Sequence, residues 1–354
     1  MKKYRLRLGL LLIVALQWSC NNDDITITPE TPLGAFENGI LISNEGPFNN
    51  GTGTVSFVSE DLTTTEAAIF NAVNSEDLGN IVQSIGFVED KAYVVANVSN
   101  TITVVDRNTF VRETTISEGL NNPRYFIAVN GTGYVSNWGD TADETDDYIA
   151  IVNLSTNTVE DTISVVFGPE ELIASNGVLY VAHQGAFGQN NQVSVIETAS
   201  NTVATTITVG DVPNSMQLDG NGDLWVLAGG IPSFTGNETG GVLSKINTST
   251  NEVETNINFG TTQHPNHLSI DGDELYYFEG GNVFTLGISD TTLPETTILD
   301  NVSFYAMTVN NGRLYGTDAL DFASNGTLLV YDINLATELT TLTVGLIPGG
   351  IYFN

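Results

Sequence analysis

A chain of 354 residues suits one large domain or two ordinary ones. Its 42 Asp and Glu against 10 Lys and Arg give a net charge of −32. That excludes sequence-independent nucleic-acid binding, which needs cations to displace phosphate counterions, and it opposes docking on anionic lipid headgroups. Only 15% of residues are charged and 41% are apolar, so the composition is that of a folded chain and not of an acidic disordered tail.

Met1–Arg7 holds four of the ten cations, and Leu8–Leu16 is a nine-residue apolar run. Nine residues fall well short of the ~20 that span a bilayer but suit the apolar stretch of a signal peptide. Leu16-Gln17-Trp18-Ser19-Cys20 follows and resembles the lipobox of bacterial lipoproteins. The resemblance implies cleavage before Cys20 and lipid attachment to it. Exported proteins usually carry paired cysteines or none, and the single cysteine here stands where an acyl acceptor would be. An incidental cysteine after an ordinary signal peptide is the alternative. A chain starting at Cys20 keeps 42 acids and 6 cations, or −36. Asn21-Asn22-Asp23-Asp24 resembles the acidic tract behind the lipidated cysteine of surface-exported Bacteroidetes lipoproteins. Residues 21 to about 36 have no periodic pattern and read as a tether. The organisation expected is a lipoprotein signal peptide over 1–19, lipidated Cys20 and flexible tether over 20–38, and one folded domain over 39–354.

From there the sequence repeats. Short alternating runs align at Val55, Ile102, Ile149, Val193, Leu243, Val283 and Leu328, spaced by 47, 47, 44, 50, 40 and 45 residues. Each unit carries four strand signals. One such as Leu179-Tyr180-Val181-Ala182-His183 precedes the aligned run, and a Thr/Val-rich run such as Thr202–Ile207 follows it. A Gly/Pro junction and the next unit's innermost strand complete the repeat. Four β-branched and aromatic strands in about 45 residues make a β-propeller blade. The first unit starts at its second strand, Ile40–Asn44, while the chain finishes on a spare inner strand, Gly350–Asn354. Pairing these two closes a ring with no mismatched edge. The expected fold is an all-β, seven-bladed β-propeller with four antiparallel strands per blade, closed through the N-terminal blade.

Tyr134-Val135-Ser136-Asn137 and Tyr180-Val181-Ala182-His183 resemble the repeats of YVTN-type (YncE-like) seven-bladed propellers. Asn44-Glu45-Gly46, Asn121–Tyr125, Ser136–Gly139 and Val209–Ser215 further resemble the surface lipoprotein propellers of Bacteroidetes. Some of those capture cobalamin for a TonB-dependent outer-membrane transporter. The resemblance spans residues 39–354 and implies a lipid-anchored outer-membrane protein facing the cell exterior. It also implies a small organic ligand, a corrinoid in particular, and a transporter partner.

Strand parity assigns the loops to two faces. Turns such as Glu89-Asp90, Asn176-Gly177 and Asn311-Gly312 are short and share one face. Loops at about 45–54, 138–147, 184–192, 229–241 and 319–327 are long and share the other, so recognition belongs there. Each long loop holds one aromatic residue: Phe48, Trp138, Phe187, Phe234 and Phe322. Arg124, Tyr125, Asn214, His264, His267 and Tyr305 reach this face through blade crossovers, and His183 ends a strand there. Aromatic tips around a polar centre suit a large, partly flat ligand. Each tip folding back on its own loop is the alternative. By parity, Arg124 is the one cation beyond residue 20 at this face, where it would meet a single anionic group.

The three histidines read as polar lining rather than as a metal centre. Asp219–Asp223 starts like a calcium loop but lacks the terminal Glu and reads as a hairpin turn. Asp140, Asp143 and Asp146, in a loop with five carboxylates, are candidate Ca²⁺ ligands, with a solvated loop as the alternative. No haem-attachment, P-loop, nucleophile-elbow or zinc-protease motif is present. The expectation is a non-enzymatic ligand-binding protein, with a protein- or glycan-interaction module as the alternative.

Overall fold

The computed structural model describes residues 33–48 and 51–354, so the expected leader, Cys20 and most of the tether lie outside the described residues. The rest forms seven small antiparallel sheets. Their inner strands are Val82–Val88, Pro123–Val129, Pro169–Ser175, Pro213–Leu218, Asn266–Asp271, Ala306–Asn310 and Pro348–Phe353. Each touches the next and the last returns to the first, so the seven surround one axis. We number the blades I to VII, starting with the one that holds Gly39–Asn44.

The burial pattern explains the order within a blade. Third strands such as Tyr148–Asn153 and Gln192–Glu197 are buried on both sides along their middle four residues because a neighbouring blade covers each face. Outer strands such as Thr202–Thr208 alternate, with only Ile207 fully buried. Seven separate apolar clusters result, one at each blade interface.

Two blades depart from the repeat at their outer edge. In blade I the outer strand is only Thr65–Glu66, and the short helix Ile69–Asn74 follows, packing Ile69 and Phe70 into the interface with blade II. In blade VI the outer edge is met by a single bridge between Val283 and Leu299. Pro294 lies on the approach to that bridge and has no N–H to give a ladder. No helix among the described residues is long and apolar enough to cross a membrane.

Blade I is built from both ends of the domain. Ile40, Leu41 and Ile42 pair with Phe353, Tyr352 and Ile351, and Asn354 N–H donates to Gly39 O at 2.8 Å. Asn44 then ties this blade to blade VII. Its buried carboxamide donates to Ile42 O, Thr54 Oγ1 and Ser56 Oγ, and its Oδ1 accepts Gly345 N–H at 3.0 Å. Gly345 permits the approach, since a Cβ there would sit 2.5 Å from the Asn44 side chain. The first described residue, Leu33, lies on the short-turn face. Its neighbour Phe36 donates its N–H to Asn108 O in a short turn of blade II.

Replacing Asn44 with Ala leaves the Gly345 N–H buried and unpaired. It should cost about 2–3 kcal/mol in denaturant unfolding, whereas a loss below ~0.5 kcal/mol would show that the staple is dispensable.

Candidate functional site

At the long-loop end, six inner strands open with the same device. A residue with positive φ comes first in five of them: Ile81, Asn122, Gly168, Val212 and Ile347. The β-branched members hold a conformation that their side chains oppose. A register shift follows against the second strand, between Val82 and Ser84, Pro123 and Phe126, Pro169 and Leu172, Pro213 and Ser215, Asn266 and Ser269, and Pro348 and Gly350. A bulge re-aims the side chains it contains. The polar or aromatic ones here are Gln83, Arg124, Tyr125, Glu170, Glu171, Asn214 and His267, while Leu268 stays in the core.

Five of them (Gln83, Arg124, Tyr125, Asn214 and His267) line an axial cavity of about 490 Å³, joined by Glu45, Gln184, His264 and Tyr305. The structure thus brings together Arg124, Tyr125, Asn214, His264, His267 and Tyr305 of the expected set. Asn214 donates to Pro265 O at 2.9 Å, and Tyr305 Oη donates to Glu45 Oε1 at 2.9 Å. His264 bonds Gly229 O through Nδ1 at 2.8 Å and Glu238 Oε1 through Nε2 at 3.2 Å. Burial lowers the His267 pKa to about 4, so the ring is neutral at pH 7. Burial also pushes the Glu45 carboxyl up, against the Tyr305 hydrogen bond and the Arg124 charge.

Two expectations are corrected. Arg124 is not free for an anion. Its Nε donates to both carboxylate oxygens of Glu170 at 3.1 Å, Nη2 lies 3.0 Å from Glu170 Oε1, and Nη1 donates to Gln83 Oε1 at 2.6 Å. The guanidinium also lies over the Trp138 ring, 3.9 Å from its centroid. His183 does not reach the cavity. It ends its strand fully buried, with Nε2 2.8 Å from Ser194 Oγ, and burial depresses its pKa to about 4. Asn44 and Asn137 end the second strands of blades I and III in the same way. Asn137 accepts the Asn121 N–H at 3.0 Å, so this position joins strands rather than recognising ligands.

Two of the aromatic tips touch residues of the cavity wall, Trp138 beneath Arg124 and Phe322 against Tyr305. Trp138 is half-buried and meets Phe187 edge-on at 5.7 Å, and Phe322 meets Tyr305 edge-on at 5.6 Å. Phe48 and Phe322 are exposed, while Phe187 and Phe234 are 79% and 87% exposed and pack on little of their own loops. The carboxylates of Asp140, Asp143 and Asp146 are not brought to one point. Asp146 accepts the Asp140 N–H at 2.9 Å, Asp140 accepts the Ala142 N–H at 3.0 Å, and Asp143 accepts the Thr145 N–H at 2.9 Å. Each carboxylate accepts from its own loop, and no three His, Cys, Asp or Glu side chains among the described residues are grouped to hold a metal. The Asp219 carboxylate likewise accepts the Asn221 and Asp223 N–H groups and the Trp225 indole N–H, as a hairpin turn needs.

Sequence reasoning missed Gln83, Glu45, Gln184, Glu170 and Glu171. Pro123, Pro169 and Pro213 mark the blade junctions, and the residues just after each proline are the ones aimed at the axis.

The family follows from the comparison of sequences. A family model described as a domain of unknown function, DUF5074, matches residues 38–334. The chain belongs to this family. No curated protein matches it. Among solved structures, a quinonprotein alcohol dehydrogenase-like protein of Bacteroides thetaiotaomicron is 14% identical, with a TM-score of 0.66 over 90% of this chain and 78% of that one. A functionally unknown protein of Desulfotomaculum acetoxidans is 13% identical, with a TM-score of 0.64 over 89% and 98%. BamB of Moraxella catarrhalis is 11% identical, with a TM-score of 0.52 over 87% and 83%. At such identities the likeness is one of fold.

Glu171 makes the site's chemistry measurable. Burial raises its pKa from 4.5 to about 8, Glu170 adds to the rise, and the Met216 N–H opposes it. The folded chain therefore keeps a proton that the unfolded chain releases above pH 4.5. The stability this supplies is full below that value and is lost as pH climbs through about 8. Glu171→Gln keeps an acceptor for Met216 but removes the titration. Its melting temperature should fall less than that of the wild type between about pH 5 and pH 9, and equal slopes would contradict the assignment.

Proposed function

We propose that this protein is a non-enzymatic binding protein that holds an uncharged, partly flat organic ligand over the axial cavity of the long-loop face. The observation that carries this reading is the cavity's chemistry. It offers neutral donors and acceptors from Gln83, Tyr125, Asn214 and His267, and its guanidinium is already matched by Glu170. Glu170 already pairs with Arg124, so an anionic ligand finds no free cation there. Trp138, Phe187, Phe234 and Phe322 supply flat apolar contact around it.

A corrinoid is the particular candidate, by the resemblance to cobalamin-capturing surface propellers. Its amide-bearing rim suits the carboxamides, and its macrocycle suits the aromatic tips. A cavity of about 490 Å³ takes one edge of so large a molecule and leaves the rest over the exposed phenylalanines. The same reading makes the chain a lipoprotein anchored through Cys20 on the outer membrane and handing its ligand to a TonB-dependent transporter. The exposure of Phe187 and Phe234 also favours a second reading, in which this face docks a protein partner without a small ligand.

Titration of the full chain with cyanocobalamin, followed by tryptophan emission and calorimetric heat, separates the two. Saturation at micromolar concentration is expected, weakened about ten-fold or more in Trp138→Ala. No saturable heat would retire the corrinoid and leave the docking reading.

A further inference from the structure

The short-turn face carries a second concavity, a groove of about 400 Å³ where blade VII meets blade I. The tyrosine–asparagine link that joins blades II to V is absent there. In blades II, III and IV the third residue of the second strand is a tyrosine whose hydroxyl reaches the next blade. Tyr93 Oη donates to Asn157 Oδ1 at 3.0 Å, Tyr134 Oη to Asn201 Oδ1 at 2.8 Å, and Tyr180 Oη to Asn251 Oδ1 at 3.1 Å. Each accepting asparagine holds a positive φ in the turn between third and fourth strands. Tyr315 is the corresponding residue of blade VII, and the corresponding turn of blade I holds Leu62 at φ 60°. Leucine has no acceptor. The Tyr315 side chain is 6% exposed and its hydroxyl has no hydrogen-bond partner among the described residues.

The surrounding groups are equally unspent. Of the six cations among the described residues, Arg313 alone has neither an ion pair nor a side-chain hydrogen bond. Lys91, Arg112, Arg124 and Lys245 pair with carboxylates, and Arg107 bonds Asn354 Oδ1. Arg313 lines the groove with Asn310, Asn311 and Glu60, whose side chains make no hydrogen bonds within the described chain. Phe353, half-buried and edge-on to Tyr315 at 5.1 Å, supplies an apolar floor.

We propose that this groove is a separate binding site for a neutral saccharide. Vicinal hydroxyls each donate and accept, and planar carboxamide, guanidinium and carboxylate groups satisfy such pairs two bonds at a time. The tyrosine hydroxyl adds a donor and acceptor at the floor, and an aromatic ring packs against the apolar face of a pyranose. Glu60 offsets Arg313 locally, while the chain's −32 repels uronates and sialates, so neutral sugars are selected over acidic ones.

The test is the full chain on an array of neutral and acidic oligosaccharides, followed by calorimetry with the strongest binder. Binding to neutral glycans is expected, with affinity insensitive to salt. Arg313→Gln should weaken it about ten-fold or more, as the loss of a charge-assisted hydrogen bond does. Tyr315→Phe should weaken it several-fold at an unchanged melting temperature. Leu62→Asn, which supplies the acceptor that blades III, IV and V have, should weaken it too. Trp138→Ala on the opposite face should leave it intact. No glycan above background, preference for acidic glycans, or binding that survives Arg313→Gln and Tyr315→Phe would each overturn the proposal. Loss of binding in Trp138→Ala would assign the sugar to the axial cavity and overturn it as well.

Discussion

The pairing of Pro348–Phe353 with Gly39–Asn44 is the constraint on which the rest of the molecule depends. It joins segments about 300 residues apart in the chain, and closing a loop of that length costs on the order of 5 kcal/mol in chain entropy beyond a constant. Against this stand the ladder itself and two apolar interfaces, with blade VII through Ile40, Ile42 and Val344 and with blade II through Leu41 and Phe57. A buried aliphatic side chain stabilises by about 1.5–3 kcal/mol, so a few of these residues outweigh the cost of closure. Without closure, blades I and VII would each present an uncovered apolar face.

Closure also creates the site. Seven inner strands around one axis bring side chains from distant parts of the chain within reach of one another, as Arg124 and Glu170 or Tyr305 and Glu45 show. The bulges decide which side chains those are, because each turns one or two residues of an otherwise packed strand toward the axis. The axis thereby acquires three carboxyls and one guanidinium in a space where burial penalises charge. The outcome is a paired Arg124–Glu170, a raised Glu45, a raised Glu171 and a neutral His267. Such a cavity offers hydrogen bonds more readily than net charge.

The architecture was legible because it rests on local patterns repeated seven times. The aligned runs from Val55 to Leu328 are the third strands of the seven blades, and the incomplete first unit announced the closure. The outer edge of blade VI was less legible, since Thr-rich segments resemble strands whether or not a proline interrupts them. Loop parity placed the long-loop face and the aromatic tips. It could not tell a side chain ending a strand inside the sheet, as His183 does, from one turned onto the axis, as His267 is. That difference lies in the bulges, which are backbone events with little local signal. Nor does a sequence reveal that Arg124 is taken, because Glu170 lies 46 residues further on and meets it only across the boundary between blades III and IV. The seam groove is a deviation from a pattern that only part of the ring keeps, a leucine at position 62 where blades III, IV and V have asparagine, and it acquires meaning only once Tyr315 is seen facing it.

Native-state hydrogen exchange of the full chain tests the central claim most directly, because it reads the stability of the closing strand itself. If closure holds the ring together, the hydrogen-bonded amides of Pro348–Phe353 exchange only through global unfolding, with the same free energy as those of Gly39–Asn44 and Thr54–Ser59. Exchange of the last strand by local fraying, at a free energy well below that of its partners, would contradict the account.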